Sequence, residues 1–277
     1  MEAFNNNNTY QQIYIAEEDD TLLSRIDTVI CVLMQRSVFI AGFDADNEVL
    51  TINHAGYSTD KTVWDPNFFE RLFANEPLLA AREKVKALFI STDKNIIVPD
   101  DLYEEKAAQN WLKHIHYIED ADVVSTQPIS TDQAQFVYAK PAIITELIHM
   151  NFEKAAILPL PLYQFQNDNK QRLFLQCCIS SEQVCATLHN YSQLLWHKVF
   201  TYTCAEDIAY EVQHQCVENN ISPSDITIVC NAVSSTEYDM INDVSQYYAG
   251  IEAGDGTTIH YRWDPAISLA KQLLACV

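Results

Sequence analysis

The chain has 277 residues, with 17 Lys and Arg against 38 Asp and Glu, giving a formal net charge of −21. That length holds one large domain or two of ordinary size, and 48% apolar residues are enough to bury a core, so the chain is not intrinsically disordered. Phosphate binding needs clustered Lys and Arg, so the charge argues against a nucleic-acid groove and an anionic membrane surface, and favours solubility, a basic partner or nothing specific.

Residues 1–24 are read as an N-terminal extension, partly disordered, with the Asn run at 5–8 frayed. They hold no basic stretch followed by an apolar run, as a secretory signal would. No stretch of about 18 apolar residues occurs, so no membrane insertion is expected. Residues 28–35 (TVICVLMQ), 37–44 (SVFIAGFD) and 48–55 (EVLTINHA) predict a three-stranded antiparallel meander. Asp65 then predicts an N-cap with Pro66 at the first helical position, and Phe68, Phe69, Leu72 and Phe73 recur at helical spacing. Residues 86–91 (KALFIS) read as a buried strand, 95–98 as extended, and 101–114 as a helix. Residues 122–138 are polar and turn-rich until Phe136, Val137 and Tyr138. A helix over 141–152 and a strand over 155–160 follow. Pro159, Pro161 and the polar run 164–171 make the best linker.

The element order then repeats. Residues 172–179, 182–189 and 193–202 predict a second meander, 205–218 a helix, 225–230 a buried strand and 236–248 a helix. An extended stretch, 256–263, leads into a last helix, 265–276. Only the order of elements repeats, not the sequence. Three antiparallel strands joined by helices to parallel ones make a mixed sheet flanked by helices. The predicted fold class is therefore α/β, a duplicated ribonuclease H-like layout of the actin-like ATPase fold, with lobes at 25–160 and 161–277. The eight cysteines contain no Cys-x-x-Cys pair, and several lie in apolar runs. They read as reduced thiols of a cytoplasmic protein.

Three stretches carry a resemblance. Residues 193–202 run into Thr203-Cys204-Ala205-Glu206-Asp207 and then Ile208-Ala209-Tyr210. Phe136-Val137-Tyr138 precedes the 141–152 helix, and Ile97-Val98-Pro99 precedes Leu102-Tyr103. The chain after residue 25 resembles an uncharacterised Bacteroidetes family, a domain of unknown function with the actin-like ATPase fold. It is more distantly similar to type IV pilus assembly actin-like proteins. The resemblance implies the fold and no established activity.

Nucleotide hydrolysis on that fold uses glycine-bearing hairpins whose backbone N–H groups approach phosphates, since glycine alone tolerates φ > 0 and so close an approach. The five glycines are Gly42, Gly56, Gly250, Gly254 and Gly256, and none falls in the expected loops. The first hairpin reads Met34-Gln35-Arg36-Ser37, the second Ile179-Ser180-Ser181-Glu182, and the third turn Asn231-Ala232-Val233-Ser234-Ser235. No Walker-type loop occurs. No catalytic residue and no cofactor is assigned. Arg36, Ser180, Ser181, Asn231 and Ser234 are the weak candidates for lining a cleft, and polar residues are what any exposed hairpin carries.

Remaining constellations have plainer readings. Asp44, Asp46 and Glu48 form an acidic turn without calcium-loop spacing. Glu206 and Asp207 could pair for acid–base work, but the first helical turn suits them better as caps. His114 and His116 lack a third ligand, and Cys185 and His189 are too far apart along one strand for zinc, so no metal is expected. Trp64 and Trp263 each precede Asp-Pro and read as hydrophobic staples. The expectation is a non-catalytic, cytoplasmic binding or assembly scaffold with an unknown protein partner. The alternative is a divergent nucleotide-binding ATPase or kinase using the interlobe cleft.

Overall fold

The computed structural model describes residues 8–16, 21–58, 60–129, 132–165, 173–248, 251–253 and 264–277. Contacts divide the chain into two compact units, residues 1–160 with Val277 and residues 161–276.

The first unit begins with β1 (Asn8–Ile15) and the short α1 (Leu22–Arg25), then β2 (Thr28–Leu33), β3 (Ser37–Phe43) and β4 (Val49–Tyr57). The helix α2 (Pro66–Asn75) leads to β5 (Val85–Ile90). An insertion follows, comprising β6 (Asn95–Pro99), α3 (Ala108–Ile115), β7 (Val123–Ile129) and β8 (Ala134–Lys140). The helix α4 (Ala142–Asn151) and β9 (Ala156–Pro159) complete the unit. The main sheet runs β1-β4-β3-β2-β5-β9, antiparallel through β2 and parallel from β2 to β9.

α2 starts where the sequence puts it. The Asp65 carboxylate accepts from the Asn67 N–H at 3.0 Å, Pro66 fixes the first turn, and Trp64 stacks on Phe69 with centroids 5.7 Å apart. That stack is the staple, four residues into the helix, and Trp64 adopts φ = 58° to make it. Phe68, Phe69, Leu72 and Phe73 then bury against the β2 side chains Val29, Cys31 and Leu33, with Ile144, Ile148 and Phe152 from the α4 segment. Both glycines among the described residues sit inside strands. A Cβ on Gly42 would stand 3.0 Å from Ile26 Cδ1, and one on Gly56 3.3 Å from Thr9 Oγ1 and 3.4 Å from Ser37 Cβ.

The strand β1 corrects the reading of 1–24 as an extension. It pairs with β4 from Asn8↔Tyr57 to Ile15↔Thr51, with a bulge between Gln12 and Tyr14. Its glutamines disguise it, because an edge strand needs few buried side chains. The insertion is a separate small sheet, β6-β8-β7, antiparallel throughout, with α3 on one face. Its own core is Val98, Ala108, Leu112, Ile118, Val137 and Ala139. The stretch read as turn-rich therefore contains β7, and the helix begins as a 3-10 turn, Glu105–Ala107, rather than at 101.

The second unit comprises α5 (Leu162–Phe165), β10 (Leu173–Ile179), β11 (Gln183–Asn190), β12 (Gln193–Thr201), α6 (Ala205–Glu218), β13 (Thr227–Ala232), α7 (Ser235–Ser245), β14 (Ile251–Ala253) and α8 (Asp264–Leu274). The sheet order is β12-β11-β10-β13-β14, with β10, β13 and β14 parallel. This is the order β4-β3-β2-β5-β9 of the first unit: third, second, first, fourth, fifth. α6 and α7 cover one face through Ile208, Val212, Ile241 and Val244, packed on Leu175, Cys177, Ile179 and Cys230. The linker reading is corrected at its start, because Leu162, Tyr163, Gln164 and Phe165 form a buried helical turn. The rest of that linker, the extended stretch 256–263 and the second staple at Trp263 lie outside the described residues.

Candidate functional site

The hairpins that open the two meanders, between β2 and β3 and between β10 and β11, are the loops the sequence singles out as lacking glycine. The first is closed by a hydrogen bond from the Met34 N–H to the Ser37 carbonyl at 2.9 Å. Two more of its carbonyls are taken as well. Gln35 O accepts from the Trp64 N–H at 2.7 Å and the Tyr57 hydroxyl at 2.8 Å, and Arg36 O accepts from the Tyr57 N–H at 3.0 Å. The Arg36 Nε donates to the Lys61 carbonyl at 3.1 Å. The second hairpin repeats the closure, with the Ser180 N–H donating to Gln183 O at 2.9 Å. The Ser180 hydroxyl donates to the same oxygen at 3.0 Å, and the Tyr202 hydroxyl donates to Ser180 O at 2.6 Å. Residues with positive φ occur at Asn47, Trp64, Gln133, Tyr191 and Asn220, and none lies in either hairpin.

The structure brings Ser180, Ser181, Asn231 and Ser234 to one edge of the second sheet, where the parallel strands β10 and β13 end in register, Cys178↔Asn231 and Ile179↔Ala232. Arg36 sits at the corresponding hairpin of the first unit. The Ser234 hydroxyl is bonded to the Glu237 carboxylate, whose pKa burial raises. Asn231, fully buried, donates to Gln272 Oε1 at 3.2 Å and the Tyr163 hydroxyl at 3.4 Å.

Asn231 opens a polar network that sequence reasoning missed. Gln164 is fully buried, and its amide donates to the Tyr163 hydroxyl and the Cys185 carbonyl, both at 3.1 Å. Its oxygen accepts from the Thr187 hydroxyl at 2.6 Å and the Cys185 thiol at 3.3 Å. Thr187 Oγ1 also lies 2.9 Å from His197 Nδ1. Its one proton goes to Gln164, so Nδ1 is the donor of that pair. Burial holds the His197 pKa down at about 3, and the ring stays neutral. The only sequence signal for this network is alternation on β11, where Cys185, Thr187 and His189 share a face.

Asp207 caps α6, and Glu206 beside it in the first turn ties to Tyr247. Asp207 Oδ2 accepts from the Thr203 N–H at 2.8 Å and the Thr203 hydroxyl at 2.6 Å, and Glu206 accepts from the Tyr247 hydroxyl at 2.9 Å. Asp44 Oδ1 is occupied by the N–H groups of Asp46 and Glu48, both at 2.9 Å. His116 bonds the Asn95 carbonyl and His114 the Asn110 carbonyl, and no metal-holding cluster occurs among the described residues. Lys140, the last residue of β8, is buried, and burial lowers its pKa. It precedes Pro141, from which α4 starts without a side-chain cap.

The insertion carries an open groove of about 490 Å³ along α3, lined by Leu102, Glu104, Ala107, Asn110, Trp111, His114 and Ile115. Leu102 and Ile115 are exposed by 58% and 66%. Ala108 and Leu112 already anchor α3 to its sheet, so Ala107, Trp111 and Ile115, spaced by four, form a second apolar stripe facing away from that core.

Two mixed sheets of one strand order, each with its helices, define the class as a duplicated ribonuclease H-like protein of the actin-like ATPase fold. Solved structures bear this out. A Bacteroides thetaiotaomicron protein with actin-like ATPase fold and unknown function matches with a TM-score of 0.70 at 12% identity, over 91% of this chain and 99% of that one. A chain of the PilM–PilN type IV pilus biogenesis complex matches at 0.57 and 12%, over 91% and 99%. The cytoplasmic domain of EpsL, an inner-membrane component of the Vibrio cholerae type II secretion system, matches at 0.50 and 8%, over 90% and 94%. No curated protein matches the sequence. The chain belongs to the DUF3822 family, described as proteins of unknown function, whose profile matches residues 30–251. No helix among the described residues is long and apolar enough to cross a membrane.

Proposed function

We propose that this protein is a non-catalytic member of its fold class, a cytoplasmic scaffold that binds or assembles with another protein. The observation that carries this reading is the pair of hairpins at Met34–Ser37 and Ile179–Glu182. Each is closed on itself by a backbone hydrogen bond, built from residues with side chains, and free of left-handed positions. A phosphate needs several N–H groups converging on one concavity, and such nests form where αL residues are available. Two of the matched structures are parts of multi-protein machines, a type IV pilus biogenesis complex and a type II secretion system. The surplus of acidic residues supports a protein partner over nucleic acid.

Calorimetric titration of the full chain with ATP and Mg2+, with thermal unfolding in parallel, tests the reading. The expected result is no heat of binding and no shift in Tm at millimolar nucleotide. Ligand at about 100 times its Kd would stabilise the chain by about 2.7 kcal/mol, so a clear shift at micromolar ATP overturns the scaffold.

A second reading, a divergent nucleotide-binding ATPase or kinase, has one observation in its favour. The buried cation Lys140 stands next to the uncapped start of α4, and helix N-termini accept anions. On that reading Lys140→Ala abolishes whatever nucleotide affinity the wild type shows; on the scaffold reading there is none to abolish.

A further inference from the structure

The helix α4 returns the chain from β8 to β9, and β9 runs parallel to β5. α4 ends at Asn151, just before β9 opens at Ala156 opposite Ala87. Its ten residues span about 15 Å, so its N-terminus stands beside the carboxyl ends of β5 and β9. That end of the parallel strands is where open α/β sheets take their ligands.

Three sets of donors meet there without partners among the described residues. The N–H groups of Ala142, Ile143 and Ile144 precede the first helical bond, from the Thr145 N–H to Pro141 O at 3.0 Å. No side chain caps them, and no acid lies in the first turn. Ile143 is 45% exposed, so the turn is open to solvent. Lys140, the residue before the N-cap, is only 9% exposed. Its ammonium has neither an ion pair nor a hydrogen-bond acceptor, and only the Tyr138 ring faces it, with the centroid 5.9 Å away. Ser91, the residue after β5, is 4% exposed. Its N–H donates to Leu33 O at 2.9 Å, while its hydroxyl has no bond. The neck of the insertion holds these positions close, because the Ala139 N–H donates to Lys94 O at 2.9 Å, between Lys140 on one side and Ser91 on the other. A buried cation without a counter-ion and a helix start without acceptors are each unfavourable, and a single anion relieves both.

We propose that the start of α4, with Lys140 and Ser91, binds a phosphate group, as the inorganic ion or as a small monoester. The donors come from a helix end, a strand end and a loop, and a tetrahedral oxyanion meets such directions better than a planar carboxylate does. The site is independent of the scaffold reading, since one phosphate group is held here without a nucleotide.

Calorimetric titration of the full chain with inorganic phosphate, with ionic strength held constant by chloride, tests the site. The expected result is saturable binding at one site. Lys140→Met keeps the buried stem and removes the charge, and should weaken binding about tenfold or more, as loss of a charged hydrogen bond does. Ser91→Ala should weaken it less, and Lys86→Met, at an exposed cation of the same unit, should leave it unchanged. In the wild type, phosphate should move the amide resonances of Ala142, Ile143 and Ile144 more than any others, a readout that needs no variant to fold. Phenyl phosphate binding as well as phosphate assigns the site to a monoester, and its exclusion assigns the site to the free ion; both uphold the proposal. The proposal is overturned by the lack of saturable heat, by binding indifferent to Lys140→Met, by amide shifts centred elsewhere, or by acetate binding as tightly as phosphate. ATP binding far more tightly than phosphate, and lost in Lys140→Met, hands these residues to a nucleotide and overturns the scaffold as well.

Discussion

Where α2 and α4 meet on the first sheet, contact is ring against ring. Phe68 and Phe69 pack edge to face at 5.2 Å, Phe73 and Phe152 at 5.1 Å, with Trp64 closing the row. Where α5 meets the second sheet, contact is amide against hydroxyl, thiol and carbonyl, all centred on Gln164. The strand order beneath is the same. Topology therefore follows from the connections and the apolar pattern of the strands, while the cover may be greasy or polar provided every buried donor and acceptor has a partner. The two covers should fail differently. An apolar layer loses contact area smoothly, and a hydrogen-bonded one loses a whole set of partners when one member goes.

The largest effect is expected in the first unit. Phe69→Ala, at a fully buried position, should cost about 3–5 kcal/mol, read as a fall in the urea midpoint with little change in slope. In the second unit Gln164→Leu keeps volume but removes the acceptor of the Thr187 hydroxyl and one donor each from the Tyr163 hydroxyl and the Cys185 carbonyl, and should cost about 2–3 kcal/mol. If Gln164→Leu were neutral, the polar cover would be ornamental and the contrast between the units would collapse.

Acid sharpens the contrast further, because the third strand of each meander holds an enclosed histidine. His54 on β4 is buried, and loss of water lowers its pKa from 6.5 to about 4. The unfolded chain takes up that proton first, so stability falls as pH drops from about 6.5 towards 4, by about 2 kcal/mol at pH 5. His54→Gln should remove about half of the slope over that interval, because His197 titrates from the same 6.5 in the unfolded chain. His197 on β12, held at about 3, should keep its share of the slope going to lower pH, and substitution there should reduce that part. The smallest effect belongs to the caps. Asp65→Ala removes the acceptor for the Asn67 N–H and should cost about 1 kcal/mol, seen as a lower Tm.

The repeated meander was legible because its strands are buried on both faces and read as apolar runs, as in 28–33 and 173–179. α2 was legible to the residue because Trp64, Asp65 and Pro66 each have a local mechanism. The misses share a cause. β1 and β7 lie at sheet edges with few fully buried side chains, so Gln11, Gln12, Ser125 and Pro128 hide them. α5 was hidden by the opposite circumstance. Its Gln164 is polar because it serves as a buried junction, and composition alone cannot distinguish that from a solvated loop. The hairpins were legible as lacking glycine, while the carbonyls of Gln35 and Arg36 being held by Tyr57 and Trp64 required coordinates. The α3 groove left a trace in the spacing of Trp111 and Ile115, but one amphipathic stripe looks like another until the core-facing stripe is known.

The insertion leaves and rejoins the first unit through adjacent strands. Asn95 lies opposite Tyr138, and the Ala139 N–H reaches the Lys94 carbonyl at 2.9 Å. Strands so paired stand about 5 Å apart, so the whole appendage hangs from a neck that a tight turn could seal. Its hydrophobic cluster is its own. A turn in place of the module would keep the chain path of the first unit closed, at the cost of exposing whatever the buried Phe136 and Tyr138 of β8, outside that cluster, pack against.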